Sequence, residues 1–212
     1  MRTVLSRAPF FLAFGSAASI LFSIAVSQIL LALAVAALLI SGRKLRFPPL
    51  RAPLAALFAI TVAAVLASGD ARGGLPQIRK FFVFAILLVV YSTFESVGQA
   101  RALFVVWAGV ALISGAFGVV QFVHRRAELD TYDFLLDGRI TGLASHWMTF
   151  GGEEMIALLM LAALVLFSRS RAIRLAGWPV LAGLLAAVVL GMTRSVFLLG
   201  VPLGLLYLLW RR

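Results

Sequence analysis

Six long apolar runs, 9–40, 54–68, 81–94, 102–123, 150–168 and 175–210, alternate along the chain with short stretches that hold nearly all its charged residues. The first and last runs are too long for one membrane crossing. At 1.5 Å per residue, 9–40 would reach about 48 Å, against a hydrocarbon core of about 30 Å. Each is expected to fold as a tight helical hairpin. The first turns within 23–28, its most polar interior stretch, and the last at Thr193-Arg194-Ser195, its only charged point. The pattern predicts an all-α, polytopic transmembrane bundle of eight short helices, at 9–23, 27–41, 54–68, 81–94, 102–123, 150–168, 175–192 and 195–210. It forms one membrane domain over 1–212, with an outer loop at 124–149.

Composition sharpens this picture. With 63% hydrophobic and 13% charged residues, and a mean hydropathy of +1.07, the chain lies far from soluble domains, which run near 45–50% and about 25%. A soluble enzyme and a DNA-binding domain are excluded. No Cys is present, which excludes a disulfide scaffold. His124 and His146 are too few for a His-based zinc site, so no metal and no cofactor are expected.

The net charge of +11 does not imply nucleic acid, which needs a continuous basic patch. Here Lys and Arg come in small groups between apolar runs. With the N-terminus cytoplasmic, the groups at 2–7, 43–51, 101, 169–174 and 211–212 fall inside with one acid, Glu95. The remaining bases face outward, balanced by the other acids. The whole excess lies on the cytoplasmic side, as the positive-inside rule requires. The start of the chain imitates a signal peptide around Ser16-Ala17-Ala18, but the apolar run continues to Ile40, so a retained membrane segment is expected. Gly200 and Gly204, like Ala111 and Gly115, have the small-xxx-small spacing of close helix packing.

Chemistry has few candidates. The stretch 124–149 holds both His residues, three Arg and four carboxylates. Arg194 stands alone in an otherwise uncharged run of 36 residues, where a charge costs about 2.5–3.5 kcal/mol on insertion scales. By the topology above, Arg139 and Arg194 share the outer face. Guanidinium groups grip phosphate oxygens through paired hydrogen bonds, so the two can hold the diphosphate of a lipid-linked substrate. Each also has a plainer reading. Arg194 would mark a turn and snorkel to the headgroups, and Arg139 would pair in solvent with Asp137 or Asp133. His146 is either a base or an interfacial hydrogen-bonding residue. Glu153 and Glu154, after Gly151-Gly152, fit a helix N-terminus whose dipole favours acids. No nucleophile–base pair identifies a catalytic residue.

The run Gly138-Arg139-Ile140-Thr141-Gly142-Leu143-Ala144-Ser145-His146-Trp147-Met148-Thr149-Phe150, entering a helix, resembles the O-antigen ligase family of bacterial membrane proteins. There an outer Arg-x-(Ser/Thr)-Gly stretch precedes such a helix. Gly191-Met192-Thr193-Arg194-Ser195 resembles the family's Thr/Ser-Arg hairpin two helices later. The resemblance implies a multi-pass protein of the bacterial inner membrane, acting at the periplasmic face on glycans carried by undecaprenyl diphosphate. Arg139 and Arg194 would bind that diphosphate, with His146 and Glu153 as weaker candidates and no metal. Full-length members continue through further helices and a large periplasmic loop bearing the catalytic His, a position His146 does not match. The chain is therefore expected to be an N-terminal portion, inactive as a transferase by itself, whose partners are the lipid-linked glycan, membrane lipid and the C-terminal half of the same protein. Which glycan, which acceptor, and ligation against polymerisation stay open. The alternatives are a small membrane transporter, although the helix interiors offer mainly Ser and Gln28 and no buried carboxylate pair is expected, or a structural membrane subunit.

Overall fold

A computed structural model describes residues 2–130, 132–133 and 138–212, with side chains from residue 7 onward except at 71. All regular structure among these residues is helical: α1 (Arg2–Ser19), α2 (Ile24–Ile40), α3 (Arg51–Ala67), α4 (Ala71–Arg79), a 3₁₀ turn (Lys80–Phe84), α5 (Ala85–Thr93), α6 (Val97–Glu128), α7 (Trp147–Phe167), α8 (Arg171–Leu190), a π-helical turn (Ser195–Gly200) and α9 (Val201–Arg211). With α4 to α5 and the π turn to α9 each taken as one span, these are the eight expected helices. Four spans, Arg72–Thr93, α6, α7 and α8, are long and apolar enough to cross a membrane. The chain is a membrane protein. Its large side chains accordingly face outward in numbers a water-soluble surface would not tolerate, with Ile40, Leu66 and Leu203 among the most exposed.

Contacts divide the chain into two compact units, Met1–Gln99 and Ala100–Arg212. In the first, α1 and α2 form the expected hairpin, turning at 20–23. Ser23 caps α2 by accepting from Val26 N, so Ser27 and Gln28 lie inside the helix and the turn falls earlier than their polarity suggested. Ser27 instead faces Ser16. Each hydroxyl donates to the other residue's carbonyl at 2.8 Å, the polar clasp that apolar surroundings favour. Ala13, Leu31, Ala34, Leu38 and Val89 make the core of this unit. Residues 71–79, expected in a loop, are helical. Asp70 Oδ1 accepts from Gly73 N at 2.9 Å, a side-chain cap that outweighs the two glycines and Pro76 within α4. Before α6, Ser96 and Gln99 form a reciprocal capping box, Ser96 Oγ accepting from Gln99 N and Gln99 Oε1 from Ser96 N.

In the second unit small residues let helices meet closely. A Cβ on Gly115 of α6 would lie 2.8 Å from Ala187 Cβ of α8, one on Gly204 would lie 2.6 Å from Leu159 of α7, and one on Gly200 would strike Met155. Both small-xxx-small spacings are thus helix contacts within this unit. α6 has 32 residues and ends five residues later than expected, keeping Arg125 and Arg126 in its last turn, where cations suit the helix dipole. α7 starts three residues earlier. The interval between the two helices, expected at 124–149, shrinks to 129–146.

Candidate functional site

The loop into α7 is held by three side chains of α6. Gln121 Oε1 accepts from Thr141 N and Gly142 N, each at 3.0 Å, and its Nε2 donates to Gly142 O at 3.2 Å. Ser114 Oγ accepts from Leu143 N at 3.1 Å. Arg125 Nη1 donates to the carbonyls of Arg139 and, at 3.4 Å, Gly138. Irregular backbone at membrane depth needs its polar groups satisfied by protein, and these residues satisfy them. They sit seven and then four positions apart, on one face of the helix. That spacing was the available signal, and the sequence reading missed it by treating α6 as a plain apolar span.

Phe150, completely buried, organises the centre. A Cβ on Gly118 of α6, Gly142 of the loop or Gly191 after α8 would lie 3.1, 2.5 and 3.2 Å from its ring. Gly142 also has φ +55°, so a side chain there meets both backbone strain and the Phe150 ring. The two segments 138–150 and 191–195 are therefore packed together at one ring. They meet again at Trp147. The Arg139 guanidinium carbon lies 4.2 Å from the centroid of its indole, and Thr193 Oγ1 donates to its carbonyl at 3.4 Å. A Cβ on Gly151 would lie 2.7 Å from Thr193 Oγ1. Met192, with φ +51°, makes the sharp reversal that presents Thr193 inward, where it is buried. Arg194 follows at the head of the π turn and is exposed. Pro202 has no N–H to give to the turn before it, and Val201 N reaches back to Val196 O instead.

The site residues separate in consequence. Arg139, half-buried, and Arg194 are both carried on segments that converge at the start of α7. Asp137, one proposed partner of Arg139, lies outside the described residues. His146 is the N-cap of α7: its Nδ1 accepts from Met148 N at 3.1 Å and its ring stacks on Trp147 at 5.2 Å. Glu153 and Glu154 do not cap the helix. Because α7 begins at Trp147, they fall in its second turn, and the first turn holds no acid. Glu154 is instead buried in the bundle at 1% exposure. Its Oε2 lacks a hydrogen-bond partner. Glu153 beside it is half-buried. The expectation of no buried carboxylate pair is corrected to this extent, since one acid is fully enclosed next to another that is partly so. No cluster of metal-ligating side chains occurs among the described residues.

No protein-family model matches the sequence, and neither does any curated protein or solved structure. What the arrangement can do follows from its own chemistry. One guanidinium is oriented over an indole, an interaction worth about 0.5–1 kcal/mol at exposed sites. A second is presented from a braced turn that packs on the same helix end. Anionic oxygen is the ligand such groups serve best.

Proposed function

We propose that this chain is an O-antigen ligase-like protein of the bacterial inner membrane, multi-pass with a cytoplasmic N-terminus, handling an undecaprenyl-diphosphate-linked glycan at the periplasmic face. The observation that carries this reading is the convergence of 138–150 and 191–195 on Phe150 and Trp147, bringing Arg139 and Arg194 to one end of α7. In glycan transfer the acceptor oxygen bonds to the anomeric carbon as the bond to the diphosphate oxygen breaks, and the proton of the acceptor hydroxyl passes to solvent. The two guanidinium groups would hold that diphosphate and neutralise the charge it gains on leaving.

Binding of undecaprenyl diphosphate to the purified chain tests the site. Arg139→Lys and Arg194→Lys keep the charge but lose the planar fork, and each should weaken binding about tenfold, the scale of one charge-assisted hydrogen bond. Unchanged binding in both would reduce Arg194 to a snorkelling turn residue and end the proposal. The orientation has its own check, since no native Cys interferes. Cys placed at Ser145 and at Ser170, before and after α7, should label from opposite sides of the membrane. Labelling from one side would remove the topology.

Glu154 favours a second reading, a small transporter, because a carboxyl enclosed in a membrane helix is a usual mark of a substrate or proton path. Uptake by proteoliposomes that Glu154→Gln abolishes and Arg194→Ala leaves intact would select it.

A further inference from the structure

At one end of the first unit the start of α1, the end of α2 and the end of α5 surround a recess of about 250 Å³. Its polar corner is made by Arg7, Arg43, Glu95 and Gln99. Arg43 Nη1 donates to Glu95 Oε1 at 3.0 Å. Gln99 Oε1 is committed to the backbone, accepting from Glu95 N at 2.7 Å and Ser96 N at 3.1 Å, which turns its NH₂ into the free end of the amide. The hydroxyl of Thr93, also on the wall, donates to Val89 O at 2.7 Å. The corner therefore offers two guanidinium groups and an amide NH₂ as donors against one carboxylate, with one net positive charge. One turn along α1 from Arg7 the wall is aromatic. Phe10 and Phe11 line it, their rings edge to face at 5.4 Å, and Phe11 is 63% exposed.

A donor-rich corner of charge +1 beside an exposed aromatic wall is complementary to a singly charged phosphate diester joined to an apolar body. We propose that this recess binds the head group of an anionic phospholipid, its phosphate between Arg7 and Arg43 and its glycerol and upper acyl carbons against Phe10 and Phe11. Guanidinium forks suit the phosphate oxygens. Glu95 competes for Arg43, so it sets how tightly the phosphate is held. The charge bias of the sequence assigns this end of the unit to the cytoplasm, where anionic lipids draw basic residues. The site is independent of Arg139, Arg194 and their ligand.

The test is calorimetric titration of the purified full chain, in neutral detergent, with short-chain phosphatidylglycerol, short-chain phosphatidylcholine and inorganic phosphate. Phosphatidylglycerol should bind, and phosphatidylcholine, whose phosphate carries a tethered cation, at least tenfold more weakly. Arg7→Gln should weaken phosphatidylglycerol about tenfold, the effect of one charge-assisted contact. Arg174→Gln, which removes the same charge from α8, should change nothing. Glu95→Gln should tighten binding several-fold by releasing Arg43, a gain that misfolding cannot produce. Equal losses in Arg7→Gln and Arg174→Gln would reduce the effect to general charge and overturn the proposal. So would no gain in Glu95→Gln. Inorganic phosphate binding as tightly as the lipid would overturn the lipid assignment.

Discussion

In the α1–α2 hairpin, Ser16 and Ser27 each donate to the other's carbonyl. At the turn between α8 and α9, the Thr193 hydroxyl lies 3.4 Å both from Gly191 O, within the turn, and from Trp147 O, on a third helix. Both come from apolar runs too long for one crossing, and both are punctuated by small hydroxyl residues. The first closes its polar groups upon itself, which ties two helices together and leaves nothing to offer a ligand. The second shares its polar group with a third helix and so ties the turn that presents Arg194 to the start of α7. A hydroxyl in a membrane hairpin thus marks either a clasp or a brace, and only the partner decides which.

The largest test of that contrast uses two glycines with similar backbone and different surroundings. Gly42, with φ +64°, has open space where a Cβ would go, whereas Gly142, with φ +55°, has Phe150 and Ser114 there. Gly142→Ala should cost about 2–5 kcal/mol by adding overpacking to left-handed strain, and Gly42→Ala only about 1–2 kcal/mol. Denaturant unfolding in micelles measures both, and equal costs would mean that the Phe150 cluster is not tightly packed.

Next comes Gln121→Leu, which leaves Thr141 N and Gly142 N without an acceptor and should cost about 1–3 kcal/mol. Amide exchange should accelerate at 141–143 and stay slow in α1 and α2. Unaltered exchange in the loop would show that α6 does not hold it.

The smallest effect belongs to the clasp. Ser16→Ala and Ser27→Ala should each cost about 0.6 kcal/mol, the usual value for hydrogen bonds between membrane helices. The double variant should be near the sum, since each hydroxyl bonds to backbone and not mainly to the other side chain. Strong coupling would place the interaction in the Oγ to Oγ contact at 3.4 Å.

Much of the fold was legible because hydrophobic length is a strong signal. The spans follow from the apolar runs and the α1–α2 hairpin from a run longer than one crossing, whereas α9 turns back after α8 but packs on α7. Ends were read less well where a local cap decided them. Asp70 starts α4 through glycines and a proline that look like loop, and His146 starts α7 three residues before the apolar run does. That small displacement misassigned Glu153 and Glu154, because a residue near a helix end and one a turn deeper have opposite surroundings. Of the site, the two Arg motifs were visible as charged points in apolar sequence. Gln121, Ser114 and Arg125 were not. Their work is to satisfy backbone groups elsewhere in the chain, and although their spacing marks one polar face of α6, it does not say which segment supplies the partner.

The π turn after Arg194 amounts to one surplus residue wound into a helix. Winding this segment as ordinary α-helix with no residue removed would swing every later side chain by about 100° around the axis. Gly200 and Gly204 would then leave Met155 and Leu159, and bulkier neighbours would take their place against α7. The irregular turn works as a phase-setting element, keying the angular position of the last helix to the arginine in front of it.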